Sequence, residues 1–148
     1  MKVNLTAEWI VRCKASEEAI AFCDVIAEQA ACLFAVRDAE LFVLAVHEAV
    51  VNAVKAIRQA GLEEGTISLS FSVAADEVTV AVEDDGGGIP KETIHQLGEK
   101  TLADVVLAES GRGLLLIHEI MDATAFVERV GGRRMLVMKM KRTQHRPL

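Results

Sequence analysis

Glu48 and Asn52 stand four residues apart in the stretch HEAVVNAVKAI, where most other positions are apolar. At 3.6 residues per turn, positions four apart differ by about 40° around a helix, so this carboxylate and this carboxamide project as neighbours from one face. That pair can grip a hydrated ion. The Asn52 carbonyl oxygen suits a hard cation such as Mg²⁺, and Glu48 can hold a water or take a proton from a hydroxyl. Magnesium retains waters and shares its shell with substrate phosphates, so the pair raises the question of a nucleotide site elsewhere in the chain. Taken alone, E-x-x-x-N is a common spacing that an ordinary helix face with isolated polar residues also shows.

Two glycine-rich stretches answer in part. The first is Glu83-Asp84-Asp85-Gly86-Gly87-Gly88-Ile89-Pro90. Three consecutive glycines continue a strand only at a cost, but they let backbone approach a flat ligand and adopt positive φ. Asp84, fixed at a strand end, can accept a hydrogen bond from an exocyclic amine such as that of adenine; a surface loop with a solvated acid is the plainer alternative. The second is Ser110-Gly111-Arg112-Gly113-Leu114-Leu115-Leu116-Ile117, a glycine turn opening onto an apolar helix that continues to about Met121. Amides exposed at such a helix start form an anion site, and Arg112 adds charge to it. A lone G-x-G is also compatible with a tight turn. Between the two, residues 91 to 110 have weak periodicity and the length of a lid, with a short helix between loops as the alternative. Lys100 in this segment can reach a terminal phosphate or simply be solvated.

These residues need elements to hold them. Ser16, followed by two glutamates, is placed to cap a helix running to about Phe34, and Asp38 to cap a second that stops at Gly61. In the second helix Leu41, Leu44, Ala45 and Val51 are expected to supply core contacts, leaving the Glu48 and Asn52 face as a lining. Strict alternation over residues 66 to 73, a turn at Ala75-Asp76 and further alternation through Val78, Val80 and Val82 predict two antiparallel strands. The N-terminal stretch from Lys2 to Arg12 alternates likewise until Ile10. Residues 123 to 130 and 133 to 141 read as two more strands joined by a Gly131-Gly132 turn.

With 148 residues and 51% hydrophobic content, one domain over residues 1–142 is expected, followed by a flexible tail over 143–148. A net charge of -6 disfavours a nucleic-acid binder that grips backbone phosphates. Charged residues interrupt every apolar run before the roughly 18 residues a membrane span needs, and no signal peptide is evident, so a cytoplasmic location is expected. Cys13, Cys23 and Cys32 show no C-x-x-C spacing and read as reduced core thiols.

In order along the chain, an E-x-x-x-N helix, a strand ending in D-x-G-x-G, a lid-length gap and a G-x-G helix start resemble the GHKL nucleotide-binding superfamily of gyrase, a heat-shock chaperone, histidine kinases and mismatch-repair ATPases. The small size, EAVVNAV and ESGRGLLLIHEIMD look most like its anti-sigma-factor serine/threonine kinases. That resemblance implies an α+β fold: a two-layer sandwich of Bergerat type, with a mixed, mainly antiparallel sheet covered by helices on one face. It implies ATP and Mg²⁺ as ligands, Glu48 as the general base toward a partner's serine hydroxyl, Asn52 as the Mg²⁺ ligand and Asp84 as the reader of the adenine amine. Gly86, Gly88, Ile89, Lys100, Gly111, Arg112, Gly113 and Leu114 would complete the nucleotide site. Implied partners are an anti-anti-sigma-like (STAS) protein and a sigma factor, with homodimerisation. The chain departs from the pattern at Ala56, where relatives often carry His, and at Glu109, where some carry Arg; the second puts γ-phosphate contact in question. A non-catalytic ATP-responsive binding module and a detached histidine-kinase-like domain are the competing functions, the latter disfavoured because histidine kinases usually have Asn where Glu48 stands.

Overall fold

Strands with one apolar face must lay it against something, and in the computed structural model, which describes residues 6–85, 112–128 and 134–143, three helices cover that face. The strands are β1 (Ala7–Lys14), β2 (Thr66–Val73), β3 (Glu77–Asp84), β4 (Ala123–Glu128) and β5 (Arg134–Lys141). They form one sheet in the order β1-β2-β3-β5-β4, and each described pairing is antiparallel. The helices are α1 (Glu17–Leu33), α2 (Ala39–Gln59) and α3 (Arg112–Ile120). The expected α+β sandwich is what the chain forms.

Register explains which residues are buried, since directly opposed residues share a face. Trp9, Phe71, Val80 and Met138 make one cross-sheet row on the covered face, and Val11, Leu69, Val82 and Leu136 make the next. Phe71 is fully buried, with its ring 6.3 Å from both Trp9 and Phe42. The opposite face carries Ile10, Ser70, Ala81, Val137 and Ala125 in one row. Ile10, which interrupts the alternation in sequence, belongs to this face and is 65% exposed.

Local signals set the helix ends. Ser16 Oγ accepts from the Ala19 N–H at 3.0 Å, and Asp38 Oδ1 from the Leu41 N–H at 3.1 Å. Gly61, at φ 70°, closes α2: its N–H donates to the Arg58 carbonyl while the Leu62 N–H donates to that of Ile57. The same closure ends α1, but there the left-handed position is Ala35 at φ 51°, where a side chain is strained.

Two expectations need correction. Leu41 and Leu44 are more than a third exposed, because the stripe of α2 that faces the sheet and its neighbours is Phe42, Ala45, Val46, Ala49, Val50, Ala53, Val54 and Ile57. Of the cysteines, Cys23 is buried and Cys13 partly so, but Cys32 lies on the outer side of α1 and is exposed. The expected first glycine run, the lid, the Gly131-Gly132 turn and residues 2–5 and 144–148 lie outside the described residues.

Candidate functional site

The site is built on α2, which lies between α1 and α3 and over β2 and β3. Small side chains at Ala45, Ala49 and Ala53 let a neighbouring helix approach closely. Glu48 and Asn52, both partly buried, lie on the α3 side. Here the position of Gly113 in the first turn of α3 is decisive: a Cβ on Gly113 would come 3.0 Å from Glu48 Oε2, 3.3 Å from Asn52 Nδ2 and 3.5 Å from Asn52 Oδ1. Any larger residue there would require the Glu48 carboxylate and the Asn52 amide to give by a few tenths of an ångström, so glycine lets the α3 backbone pass close to both polar groups without moving them. The carboxylate is thereby set beside the electropositive end of a helix, which favours negative charge there.

The register of α3 on α2 is held at its other end. Buried Leu114, Ile117 and Ile120 anchor α3 to the core. Arg37, just before the α2 cap, donates from Nη2 to the Ile120 carbonyl at 2.6 Å and from Nε to both Asp122 oxygens at 3.2 and 3.3 Å. Asp122 Oδ2 also accepts the Lys141 N–H at 2.7 Å. Burial alone would raise the Asp122 carboxyl, but the Lys141 N–H and the Arg37 guanidinium outweigh it and hold its pKa below the ordinary value of 3.8.

The two adjacent aspartates at the end of β3 point to different tasks. Asp84 continues the inward parity of Val78, Val80 and Val82 and is 6% exposed on the helix-covered face. Asp85 serves the backbone, its Oδ2 accepting from the Thr66 N–H at 2.8 Å and the Thr66 hydroxyl at 3.0 Å. This geometry distinguishes Asp84 as the carboxylate that faces the interior layer.

Of the residues singled out from sequence, Glu48, Asn52 and Gly113 are brought together, and Asp84 is held on the same side of the sheet. Arg112 is exposed at the start of α3, and Leu114 is a core anchor. Gly86, Gly88, Ile89, Lys100 and Gly111 lie outside the described residues. Neither Glu48 nor Asn52 has a side-chain hydrogen bond or ion pair among the described residues. Their neighbour His47 does: its Nδ1 lies 2.9 Å from Asp24 Oδ1, across to α1. Sequence reasoning missed this pair and the Arg37–Asp122 tie, because both join residues far apart in the chain with no local spacing to betray them.

Residues 13–140 match the model of a family described as the histidine kinase-like ATPase domain. The chain is similar to the serine-protein kinase RsbW of Staphylococcus epidermidis, at 32% identity over 106 residues covering 70% of this chain and 67% of that protein. It is also 39% identical over 83 residues to the RsbW of Bacillus pumilus, covering 53% of this chain and 51% of that protein. A similar protein in Staphylococcus aureus matches at 32% over 91 residues, 60% of this chain and 57% of its own.

Proposed function

The chain belongs to the histidine kinase-like ATPase domain family, and from that premise we propose that it is an ATP-dependent serine kinase acting on a partner protein. The observation that carries this reading is the convergence of Glu48 and Asn52 on the glycine start of α3. A carboxylate that has no hydrogen-bond or ion-pair partner among the described residues, beside a carboxamide oxygen and the positive end of a helix, suits a site where a hydroxyl is deprotonated next to phosphate.

The residues fit the two ligands the family name implies. Asn52 offers one hard oxygen, which matches an ion that keeps its waters and shares phosphate oxygens rather than one caged by protein. Asp84, on the covered face, is placed to accept from an adenine amine, and the amides that open α3 are suited to phosphate oxygens. Bound Mg²⁺ would supply neutralisation of the charge on the transferring phosphoryl group. Glu48 would take the serine proton, and Gly113 would keep α3 close enough to exclude bulk water from the seam.

The relatives' name, serine-protein kinase, together with this base supports a serine on a protein as the acceptor. The resemblance of the motifs extends the reading to a regulatory protein of STAS type as that acceptor and a sigma factor held in check, in the cytoplasm, by a homodimer. The test is phosphate transfer from γ-labelled ATP to such a STAS protein, run beside calorimetric titration with a non-hydrolysable ATP analogue. Magnesium-dependent binding that Asp84→Asn loses, with transfer that Glu48→Ala loses, is the expected result. Binding without transfer in the wild type would overturn the kinase reading in favour of an ATP-responsive binding module.

A further inference from the structure

Cys13 and Cys23 play no part in the nucleotide reading, yet the fold brings them together. Cys13 lies on the covered face of β1, in the same parity as Trp9 and Val11, and packs on the core while remaining partly accessible. Cys23, in the second turn of α1, is fully buried in that core. Only Ala15 and Ser16 separate β1 from α1, so the helix must fold directly back over the strand.

Two further observations fix the alignment. At the far end, Trp9 of β1 meets Phe34 at the C-terminal cap of α1, ring centroids 5.4 Å apart. From Trp9 to Cys13 the strand advances about 13 Å, and from Phe34 back to Cys23 the helix covers about 16 Å. The two paths agree to within a side-chain length, so α1 runs antiparallel along β1 and sets Cys23 over Cys13. Direct interaction between the two thiols agrees with this placement. Burial first, then the neighbouring Cys13 sulfur and Asp24, push the Cys23 thiol up to about 12.

We propose that Cys13 and Cys23 form a peroxide-oxidisable pair whose product is an intramolecular disulfide tying β1 to α1. Cys13, the accessible member, reacts first: its sulfur attacks hydrogen peroxide and becomes a sulfenic acid, releasing one water. The Cys23 sulfur then attacks the Cys13 sulfur, the S–O bond breaks, and the Cys23 proton leaves with the hydroxide as a second water. Two thiols are oxidised by two electrons and one peroxide is reduced to two waters. Because Cys23 is held protonated, the second step is slow at neutral pH and accelerates as pH rises. The bridge closes at the helix turn that also carries Asp24, the partner of His47.

The test uses the full chain bearing Cys32→Ser, which removes the exposed thiol on the outer side of α1 and with it adventitious intermolecular links. After peroxide treatment the intact mass should be lower by about 2 Da, and alkylation followed by digestion should then yield a peptide in which Cys13 is joined to Cys23. Dithiothreitol should restore both thiols. Cys13→Ser, at a partly exposed strand position, removes the cross-link without emptying the core, and Cys23→Ala checks it from the other side. A gain of about 32 Da on Cys13 with Cys23 still alkylatable would overturn the proposal, as would two unreacted thiols after prolonged exposure.

Discussion

The two flanks of α2 present the same kind of residue to opposite fates. His47 and Glu48 are adjacent in sequence and about 100° apart on the helix, so one turns toward α1 and the other toward α3. On the α1 flank the polar group is answered by Asp24 at 2.9 Å, giving a pair that ties two helices. On the α3 flank Glu48 and Asn52 meet the bare Cα of Gly113 and have no side-chain partner among the described residues. The difference teaches that the neighbour decides whether a polar residue on a helix face is structural or chemical. A carboxylate supplied by the next helix uses up the group, whereas a glycine supplied there keeps it available.

The largest effect that would break this comparison lies with Glu48. Glu48→Ala should lower phosphate transfer by roughly 10²–10⁴-fold, the range for a lost general base, while leaving ATP-analogue affinity close to that of the wild type. Equal losses in both would make the group a binding element instead. Next comes Gly113→Ala, whose new methyl crowds the Glu48 carboxylate and the Asn52 amide and shifts them by a few tenths of an ångström. Alanine is the better helix former by about 1 kcal/mol, so thermal stability should hold or rise while nucleotide affinity falls by about tenfold. A variant that binds normally would show that the seam can open and that glycine is there for packing alone. On the other flank, Asp24→Ala and His47→Ala should each cost about 1 kcal/mol or less in urea unfolding, with a coupling energy between them in the double variant. Transfer activity of both should stay near wild type if the flanks are independent.

Much of this was legible from local pattern. The caps at Ser16 and Asp38, the stop at Gly61 and the hairpin around Ala75-Asp76 depend on side chains within a few residues, and the structure places all of them as the sequence predicts. Which helix face is buried was less legible. Leu41 and Leu44 are as apolar as Phe42 and Val46, and hydropathy alone did not show that the sheet would take the second pair. Ile10 is the same lesson in a strand. The Glu48 and Asn52 pair could be found because four residues is about one helical turn, but its nearness to Gly113 lies across 65 and 61 positions and only tertiary packing creates it. The sequence already singled out Asp84 over Asp85, but that Asp85 is occupied in clamping Thr66 is a contact across 19 positions that the motif does not show.

The smallest expected effect concerns the tie that sets the α3 flank from a distance. Arg37 joins the start of α2 to the end of α3, and Asp122 orients the guanidinium while accepting the Lys141 N–H. The Asp122 carboxyl is held below its ordinary 3.8 in the fold. A carboxyl whose pKa is lower folded than unfolded contributes stability above the unfolded value, and that contribution is lost as pH falls through the folded one. Asp122→Asn should therefore cost about 1 kcal/mol at pH 7, given that the pair is partly solvated, and progressively less as the pH drops below about 4. Urea unfolding of both proteins across that range measures the convergence. A difference that stays constant with pH would assign the loss to hydrogen-bond geometry instead of charge. If, in addition, ATP-analogue affinity weakens in Asp122→Asn at pH 7, then the spacing between Glu48 and Gly113 depends on a tie at the far end of α3. Unchanged affinity would mean that buried Leu114 and Ile117 hold the helix start in place by themselves.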